Sequence, residues 1–220
     1  MTAGEVISGQ SMEKPPDSFG VVREASKSDI MSIVTVHRLA FPGFFLTQLG
    51  DSFLCRYYRL VRDYPAGILL IAETPEKGVL GFAAGFLDPS RFYSLMKKKT
   101  IELGASTIPA LIKNPFLLRR LFQNFRSAAA SSQKPDSRLL CELSSIAVLP
   151  KVGQKGHGKT LLEAFLDRAR SWRAQEVYLT TDAFDNENAN LFYLRSGFIL
   201  SETFESVKGR RMNKYVLRLS

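Results

Sequence analysis

The stretch that decides the fold is Asn186-Glu-Asn-Ala-Asn-Leu-Phe-Tyr-Leu-Arg-Ser-Gly-Phe198. It predicts a helix over residues 187–195, followed by a strand near 197–206. Upstream, residues 142–149 predict another strand, which ends at Pro150. The glycine-rich sequence Gly153-Gln-Lys-Gly-His-Gly-Lys-Thr160 then joins that strand to a second helix. The two stretches have to be interpreted together, because the glycine-rich loop on its own fits more than one kind of site.

The glycine-rich loop predicts a site for a phosphorylated ligand. Its glycines allow the backbone to approach a ligand closely. The helix that starts near Gly158 has its first N–H groups unpaired and lies with the positive end of its dipole toward the loop. The loop also fits G-x-x-x-x-G-K-[ST], the P-loop of nucleotidases. A P-loop usually opens a doubly wound sheet, but only residues 161–220 follow here.

Residues 186–198 resemble N-x-x-A-x-x-[FL]-Y-x-x-x-G-[FY], a signature of the GNAT superfamily of acyl-CoA-dependent N-acetyltransferases. The matching positions are Asn186, Ala189, Phe192, Tyr193, Gly197 and Phe198. The strand at 142–149 and the glycine loop resemble the central strand and the [QR]-x-x-G-x-G pyrophosphate loop of that family. One departure is that Gly153 occupies the usual Gln/Arg position, with Gln154 one place later.

The resemblance implies an α/β (α+β) fold. This is a GNAT-like mixed, mostly antiparallel central sheet flanked by helices, with strands 4 and 5 splayed apart. We expect a flexible N-terminal tail over residues 1–18 and a single domain over residues 19–220. Other predicted elements are a strand at 19–23, a helix that Ser26 or Ser28 caps and that runs to about Ala40, a second helix from about Thr47 to Asp63, and a hairpin of strands at 67–72 and 79–86.

A helical insertion over residues 88–138 is predicted between strands 3 and 4. Asn114 and Pro115 predict the start of an amphipathic helix inside it. Residues 127–136 have the composition of a linker. The sequence leaves three interpretations of this insertion open: packing against the sheet, a lid or wall of the acceptor pocket, and a basic helix on a membrane surface.

Composition narrows the classes of function. The net charge of +9 suits an acidic partner. Coenzyme A meets that need, and no nucleic-acid-binding motif is present, so we expect no nucleic acid partner. No apolar run is long enough for an integral membrane segment. Cys55 and Cys141 are too few for a disulfide framework, which favours a cytoplasmic setting. No Cys/His cluster has metal-ligand spacing, so no metal is expected.

The resemblance implies acetyl-CoA as co-substrate. Its pantetheine arm would pair with the backbone of the central strand like an added strand. Its diphosphate would lie on the glycine loop. The expected binding residues are Ile146, Ala147, Val148, Gly153, Gln154, Lys155, Gly156, His157, Gly158, Lys159, Thr160, Asn186 and Tyr193. Asn186 is also a candidate N-cap of the helix at 187–195.

Two residues are candidates for proton transfer. Glu142 lies in a strand otherwise built of Leu, Cys, Ser and Ile, where a carboxylate is costly unless it faces a wet cleft, so it is the candidate base. The alternative is an ion pair with Arg138 or Lys151. Tyr193 matches the tyrosine that reaches the CoA sulfur in many family members, and is the candidate acid. The alternative is a packed ring whose hydroxyl is satisfied elsewhere. A backbone N–H near Ala147 or Val148 is the expected oxyanion donor.

The leading interpretation is an N-acetyltransferase that transfers acetyl directly to a primary amine. A non-catalytic acyl-CoA-binding module and a P-loop nucleotidase are the alternatives. The acceptor is open among an amino sugar, a nucleotide sugar, an amino acid, a polyamine and a protein amine. A homodimer is compatible with the sequence, although no feature of the sequence predicts it.

Overall fold

The computed structural model describes residues 21–102, 139–152, 156–206 and 209–219. Seven strands form one sheet in the order β1-β2-β3-β4-β5-β7-β6. All neighbouring strands pair antiparallel except β4 and β5, which are parallel. The strands are β1 Val21–Glu24, β2 Gly67–Thr74, β3 Gly78–Leu87, β4 Leu140–Val148, β5 Glu176–Asp182, β6 Ile199–Glu205 and β7 Arg211–Arg218.

Six α-helices are described. They are α1 Ile30–Ala40, α2 Phe45–Gln48, α3 Asp51–Asp63, α4 Pro89–Glu102, α5 His157–Ser171 and α6 Glu187–Arg195. A single 3-10 turn, Pro150–Val152, leads from β4 toward α5. The helix predicted to run from near Thr47 to Asp63 is in fact two helices. The chain breaks at Gly50, whose φ of 86° lies in the left-handed region that favours glycine.

The sheet separates two apolar clusters. On one face, α1, α3 and α4 pack against β2 and β3 through side chains such as Ile33, Tyr58 and Phe92. On the other face, α5 packs against the sheet through Leu161 and Phe165, and Tyr193 of α6 joins the same cluster. The mixed, mostly antiparallel sheet flanked by helices confirms the predicted fold class, as does the partial separation of β4 from β5 described below.

The predicted hairpin, the strands around 140–148 and 176–182, and the helix over residues 187–195 are confirmed. The expected serine cap of α1 is wrong, because the N-cap position is Asp29, whose carboxylate accepts bonds from the Ser26 backbone and hydroxyl. Helix α4 shows that the segment after β3 begins helically. The helix predicted from Asn114, the linker at 127–136 and the tail at 1–18 lie outside the described residues.

Candidate functional site

β4 and β5 pair over only three residues before they separate. The paired positions are Leu140 with Glu176, Cys141 with Val177, and Glu142 with Tyr178. Beyond Glu142, β4 continues to Val148 and remains paired with β3 on its other side. Within the described residues, the edge of β4 that faces β5 therefore has no strand partner over this half. An extended chain can pair with such an edge.

A β-bulge in β4 changes which side chains face this opening. Ala84 of β3 pairs with Ser145, whereas the next residue, Gly85, pairs with Leu143, so Ser144 is the extra residue. Leu143 belongs to the cluster under α5, whereas Ala147 belongs to the cluster under α1 and α3. After the bulge, the alternation of side chains is therefore reversed: Ser144, Ser145 and Ala147 lie on the face of the sheet that α1 and α3 cover.

Glu142 lies where the two strands part, and tyrosine hydroxyls are hydrogen-bonded to both of its carboxylate oxygens. Tyr93 of α4 donates to Oε1 at 2.5 Å, and Tyr178 of β5 donates to Oε2 at 2.6 Å. Burial raises the pKa of the Glu142 carboxyl, while the two phenols and Lys214 oppose that rise. A carboxyl whose pKa is raised toward neutrality is well suited to accept a proton.

The described partners of Glu142 are therefore phenols rather than cations. The ion pair with Arg138 or Lys151, considered from the sequence, involves side chains outside the described part of the structure. The sequence analysis missed both tyrosines. The register of parallel strands could have pointed to Tyr178, but no local signal links Tyr93 to a carboxylate 49 positions away.

The serines of the bulge are held by two further tyrosines. The Tyr57 hydroxyl donates to Ser144 Oγ at 2.9 Å, and Ser144 donates in turn to the backbone oxygen of Ala84 at 3.0 Å. The neighbouring Tyr58 hydroxyl bonds to Ser145 and lies 2.6 Å from Nδ1 of His37. His37 is buried, and burial lowers its pKa to about 4.

The start of α5 forms the other end of the opening. Gly156 occupies the N-cap position with a φ of 82°, and the first helical residue, His157, is buried. Lys159 and Thr160 are exposed in the first turn, where Lys159 makes an i,i+4 ion pair with Glu163 at 3.7 Å. This confirms a helix that begins just after the glycine loop, which is the arrangement expected to bind an anion. Gly153, Gln154 and Lys155 lie outside the described residues.

The central strand, α5 and α6 converge near Gly158. A Cβ added to Gly158 would lie 3.8 Å from Val148 Cγ2 and 4.0 Å from Phe192 Cζ. Ile146 and Val148 both pack against the cluster on this face. The structure thus brings together the binding residues expected in β4 and at the start of α5, next to the helix that carries the candidate acid.

Tyr193 is buried on α6, with its ring against Phe198 and Tyr215. Its hydroxyl has no hydrogen-bond partner among the described residues, so the alternative of a hydroxyl satisfied elsewhere has no support there. Burial raises the pKa of Tyr193, which keeps the phenol protonated at neutral pH.

Asn186 occupies the N-cap position of α6, but its side chain does not cap the helix. Its amide instead donates to Thr181 Oγ1 of β5 at 2.6 Å.

Asn190, which the sequence analysis did not single out, fixes α6 to the sheet. Its amide nitrogen donates to the backbone oxygens of Asp182 and Asn186. Its amide oxygen accepts bonds from Asn213 at 2.9 Å and from the Tyr215 hydroxyl at 2.8 Å. One side chain thus connects the helix that carries Tyr193 to both β5 and β7.

Neither a metal site nor a membrane span is found in the part of the chain that the structure describes. No three His, Cys, Asp or Glu side chains come together there as metal ligands would. None of the described helices is both long and apolar enough to cross a bilayer.

Comparisons with known proteins agree with the fold. Residues 123–198 match the model of the Acetyltransferase (GNAT) family. No curated protein sequence matches the chain significantly.

Three similar solved structures illustrate the breadth of the match. Drosophila melanogaster polyamine N-acetyltransferase is 16% identical, with 90% of this chain and 99% of that chain covered and a TM-score of 0.61. The protein yncA of Salmonella typhimurium, solved with its cofactor acetyl-CoA, is 17% identical, with 92% of this chain and 95% of that chain covered and a TM-score of 0.59. Escherichia coli ribosomal-protein-S18-alanine N-acetyltransferase is 13% identical, with 91% of this chain and 94% of that chain covered and a TM-score of 0.57.

At these identities the structural similarity establishes the fold alone. The family match includes the central strand, the glycine loop and the 186–198 signature, and the fold around them is the one that the resemblance implied. The predicted resemblance to the GNAT superfamily is therefore confirmed by the family match over residues 123–198 and by the fold.

Proposed function

We propose that the protein is an N-acetyltransferase that moves the acetyl group of acetyl-CoA directly to a primary amine. One observation carries this proposal. Glu142 lies at the closed end of the opening between β4 and β5, and the start of α5 lies at the other end. A ligand with an extended arm and a diphosphate would match both features.

The backbone and α5 account for binding of acetyl-CoA. The unpaired edge of β4 from Ser144 to Val148 offers N–H and C=O groups to the pantetheine amides. The first N–H groups of α5 face the diphosphate, and Lys159 adds a positive charge. The similar yncA protein was solved with acetyl-CoA, which supports the same co-substrate here.

Glu142 is the proposed general base. The incoming ammonium must lose a proton before its nitrogen can attack the thioester carbon, and Glu142 accepts that proton, directly or through a water molecule. Both carboxylate oxygens already accept a phenol hydrogen bond, but each keeps a second lone pair for this task. The raised pKa of the carboxyl makes proton acceptance more favourable than it is for an exposed glutamate.

Backbone and phenol groups complete the proposed reaction. Attack by the amine forms a tetrahedral oxyanion, which a backbone N–H near Ala147 or Val148 stabilises. The C–N bond is made in that attack; collapse of the intermediate then re-forms the C=O bond and breaks the C–S bond, and the nitrogen releases its second proton to solvent to leave the neutral amide. Tyr193 then supplies a proton to the departing thiolate, and solvent returns the proton to the phenol.

The acceptor is an amine whose class stays open. Among similar structures, the Drosophila enzyme acts on polyamines and forms N-acetylagmatine, whereas the Escherichia coli enzyme is named for an alanine of ribosomal protein S18. An amino sugar, a nucleotide sugar, an amino acid, a polyamine and a protein amine are all candidates.

Calorimetric titration with acetyl-CoA, with ATP and Mg²⁺ as the control ligand, tests the co-substrate. We expect saturable binding of acetyl-CoA and none of ATP. Lys159→Ala should weaken acetyl-CoA binding about threefold to tenfold, whereas Lys27→Ala, which removes an exposed lysine before α1, should not change it. Binding of ATP with Mg²⁺ instead would favour a P-loop nucleotidase and overturn the proposal.

Acetyl transfer is tested by following release of free CoA with a panel of amines. Glu142→Gln should lower kcat by roughly 10²–10⁴-fold, while binding of acetyl-CoA is retained. Glu76→Gln, in the exposed turn between β2 and β3, is the matched control. Saturable binding without turnover on any amine of the panel would instead support a non-catalytic acyl-CoA-binding module.

A further inference from the structure

The carboxylate of Glu142 is held from two independent parts of the fold. Tyr178 is its direct neighbour in the parallel β4–β5 ladder, so its position follows from the sheet. Tyr93 comes from α4, which packs on the sheet beside β3 and β4. The two hydroxyls approach different carboxylate oxygens, at 2.5 and 2.6 Å, which are distances typical of charge-assisted O–H···O⁻ bonds.

The ring and the hydroxyl of Tyr93 make different contacts. Its ring already packs against Phe86 and Phe92, with centroids 5.4 and 5.7 Å apart. A phenylalanine would keep those contacts. It would lose only the hydroxyl, which donates a hydrogen bond to Oε1 of Glu142.

The groups that surround Glu142 explain why donors are needed there. Around the carboxylate are Tyr57 from α3, Tyr93 from α4, Tyr178 from β5 and Lys214 from β7, with Cys141 next to it in β4. Lys214 does not reach the carboxylate directly. Its ammonium lies 5.4 Å from the centre of the Tyr178 ring and 3.5 Å from Glu202. The phenols are therefore the groups that directly compensate the carboxylate for lost water.

We propose that Tyr93 and Tyr178 are positioning residues that hold the Glu142 carboxylate ionised and correctly oriented at the closed end of the cleft. Helix α4 thereby becomes part of the catalytic machinery and is not only packing. This inference rests on the proposed role of Glu142 as the base. It assigns a function to the beginning of the segment between β3 and β4, which the sequence left open between packing and a wall of the acceptor site.

The test compares Tyr93→Phe, Tyr178→Phe and the double variant with Tyr64→Phe as the control. Tyr64 is also a buried tyrosine whose ring contacts Phe92, but it does not touch Glu142. Two quantities are measured. The first is the pKa of Glu142, by NMR of protein labelled with ¹³C at the glutamate carboxyl carbons, with Glu142→Gln used to assign the signal. The second is the pH profile of kcat/KM.

Loss of one phenol donor should raise the pKa of Glu142 by about one pH unit, and the double variant should raise it further. The rising limb of kcat/KM should move to higher pH by the same amount. At pH values below that limb, kcat/KM should fall by about tenfold, and the loss should disappear in alkaline buffer. Tyr64→Phe should leave both quantities unchanged.

Two failures can be told apart. If the carboxyl titrates as in the wild type in both single variants, or if their activity loss persists at every pH, the tyrosines are structural and the inference is wrong. If no amine is acetylated at all, the proposed function fails, but the NMR titration still measures whether the phenols hold the carboxylate. Should a variant not fold, its partner variant supplies the same test.

Discussion

Replacing Asn190 by alanine should destabilise the protein, mainly through the loss of hydrogen bonds and not through a change in the volume of the core. The change removes four hydrogen bonds, two donated by the amide nitrogen and two accepted by the amide oxygen. The loss matters most for the Tyr215 hydroxyl and the Asn213 amide, because both residues are at least nine-tenths buried. Water therefore cannot readily replace the lost acceptor.

The magnitude follows from those two orphaned donors. A buried polar group without a partner costs about 1–3 kcal/mol. The backbone oxygen of Asn186 keeps its helical bond from the Asn190 N–H, so it adds little. We expect the free energy of unfolding to fall by about 2–4 kcal/mol. Urea denaturation should show a lower midpoint with an unchanged m-value.

Asn188→Ala is the matched control, since it makes the same chemical change at an exposed position of the same helix. It should change stability by less than about 0.5 kcal/mol. Tyr215→Phe should cost less than Asn190→Ala, and the double variant should cost less than the sum of the two, because the second change removes the orphaned hydroxyl. Equal losses for Asn190→Ala and Asn188→Ala would refute this reasoning.

Three further predictions concern titration and packing. Burial lowers the pKa of His37 to about 4 from about 6.5, so the unfolded chain binds the proton first as pH falls. Stability should therefore fall by roughly 3 kcal/mol between pH 6.5 and 4, and His37→Leu should flatten that slope in urea titrations. Gly85→Ala would bring a Cβ to 2.1 Å from the Glu142 backbone oxygen and 2.5 Å from Phe165 Cζ, so thermal unfolding should show a loss of about 1–3 kcal/mol or more. Gly158→Ala, whose Cβ would make only ordinary contacts, should not show that loss. Because Glu142 must be ionised to accept a proton and burial raises its pKa, kcat/KM should rise with pH through a midpoint above 4.5. A rate independent of pH from 4.5 to 8 would exclude Glu142 as the base.

Much of the fold could be predicted because its signals are local. The helix over residues 187–195 and the β2–β3 hairpin are confirmed nearly to the residue. The error at Gly50 has a local cause as well. A glycine inside an apolar pattern was interpreted as part of one helix, whereas its positive φ separates two.

The candidate site was predicted only in part. The sequence pointed to Glu142 and to the start of α5, because a carboxylate in a mostly apolar strand and a glycine-rich helix start are visible in the residues themselves. The partners of Glu142 could not be predicted, because Tyr93 and Tyr178 are 49 and 36 positions away. The bond from the Asn186 side chain to Thr181 likewise replaced the expected cap of α6.

By itself, the sequence determined the order of helices and strands and the start of α5 just after the glycine loop, since periodicity, turn residues and helix ends act over a few positions. The tertiary structure alone decided the bulge at Ser144 and the pair of phenols on Glu142. These depend on strand register and on contacts between distant segments. Such features arise only when the whole sheet and its two helical layers pack together.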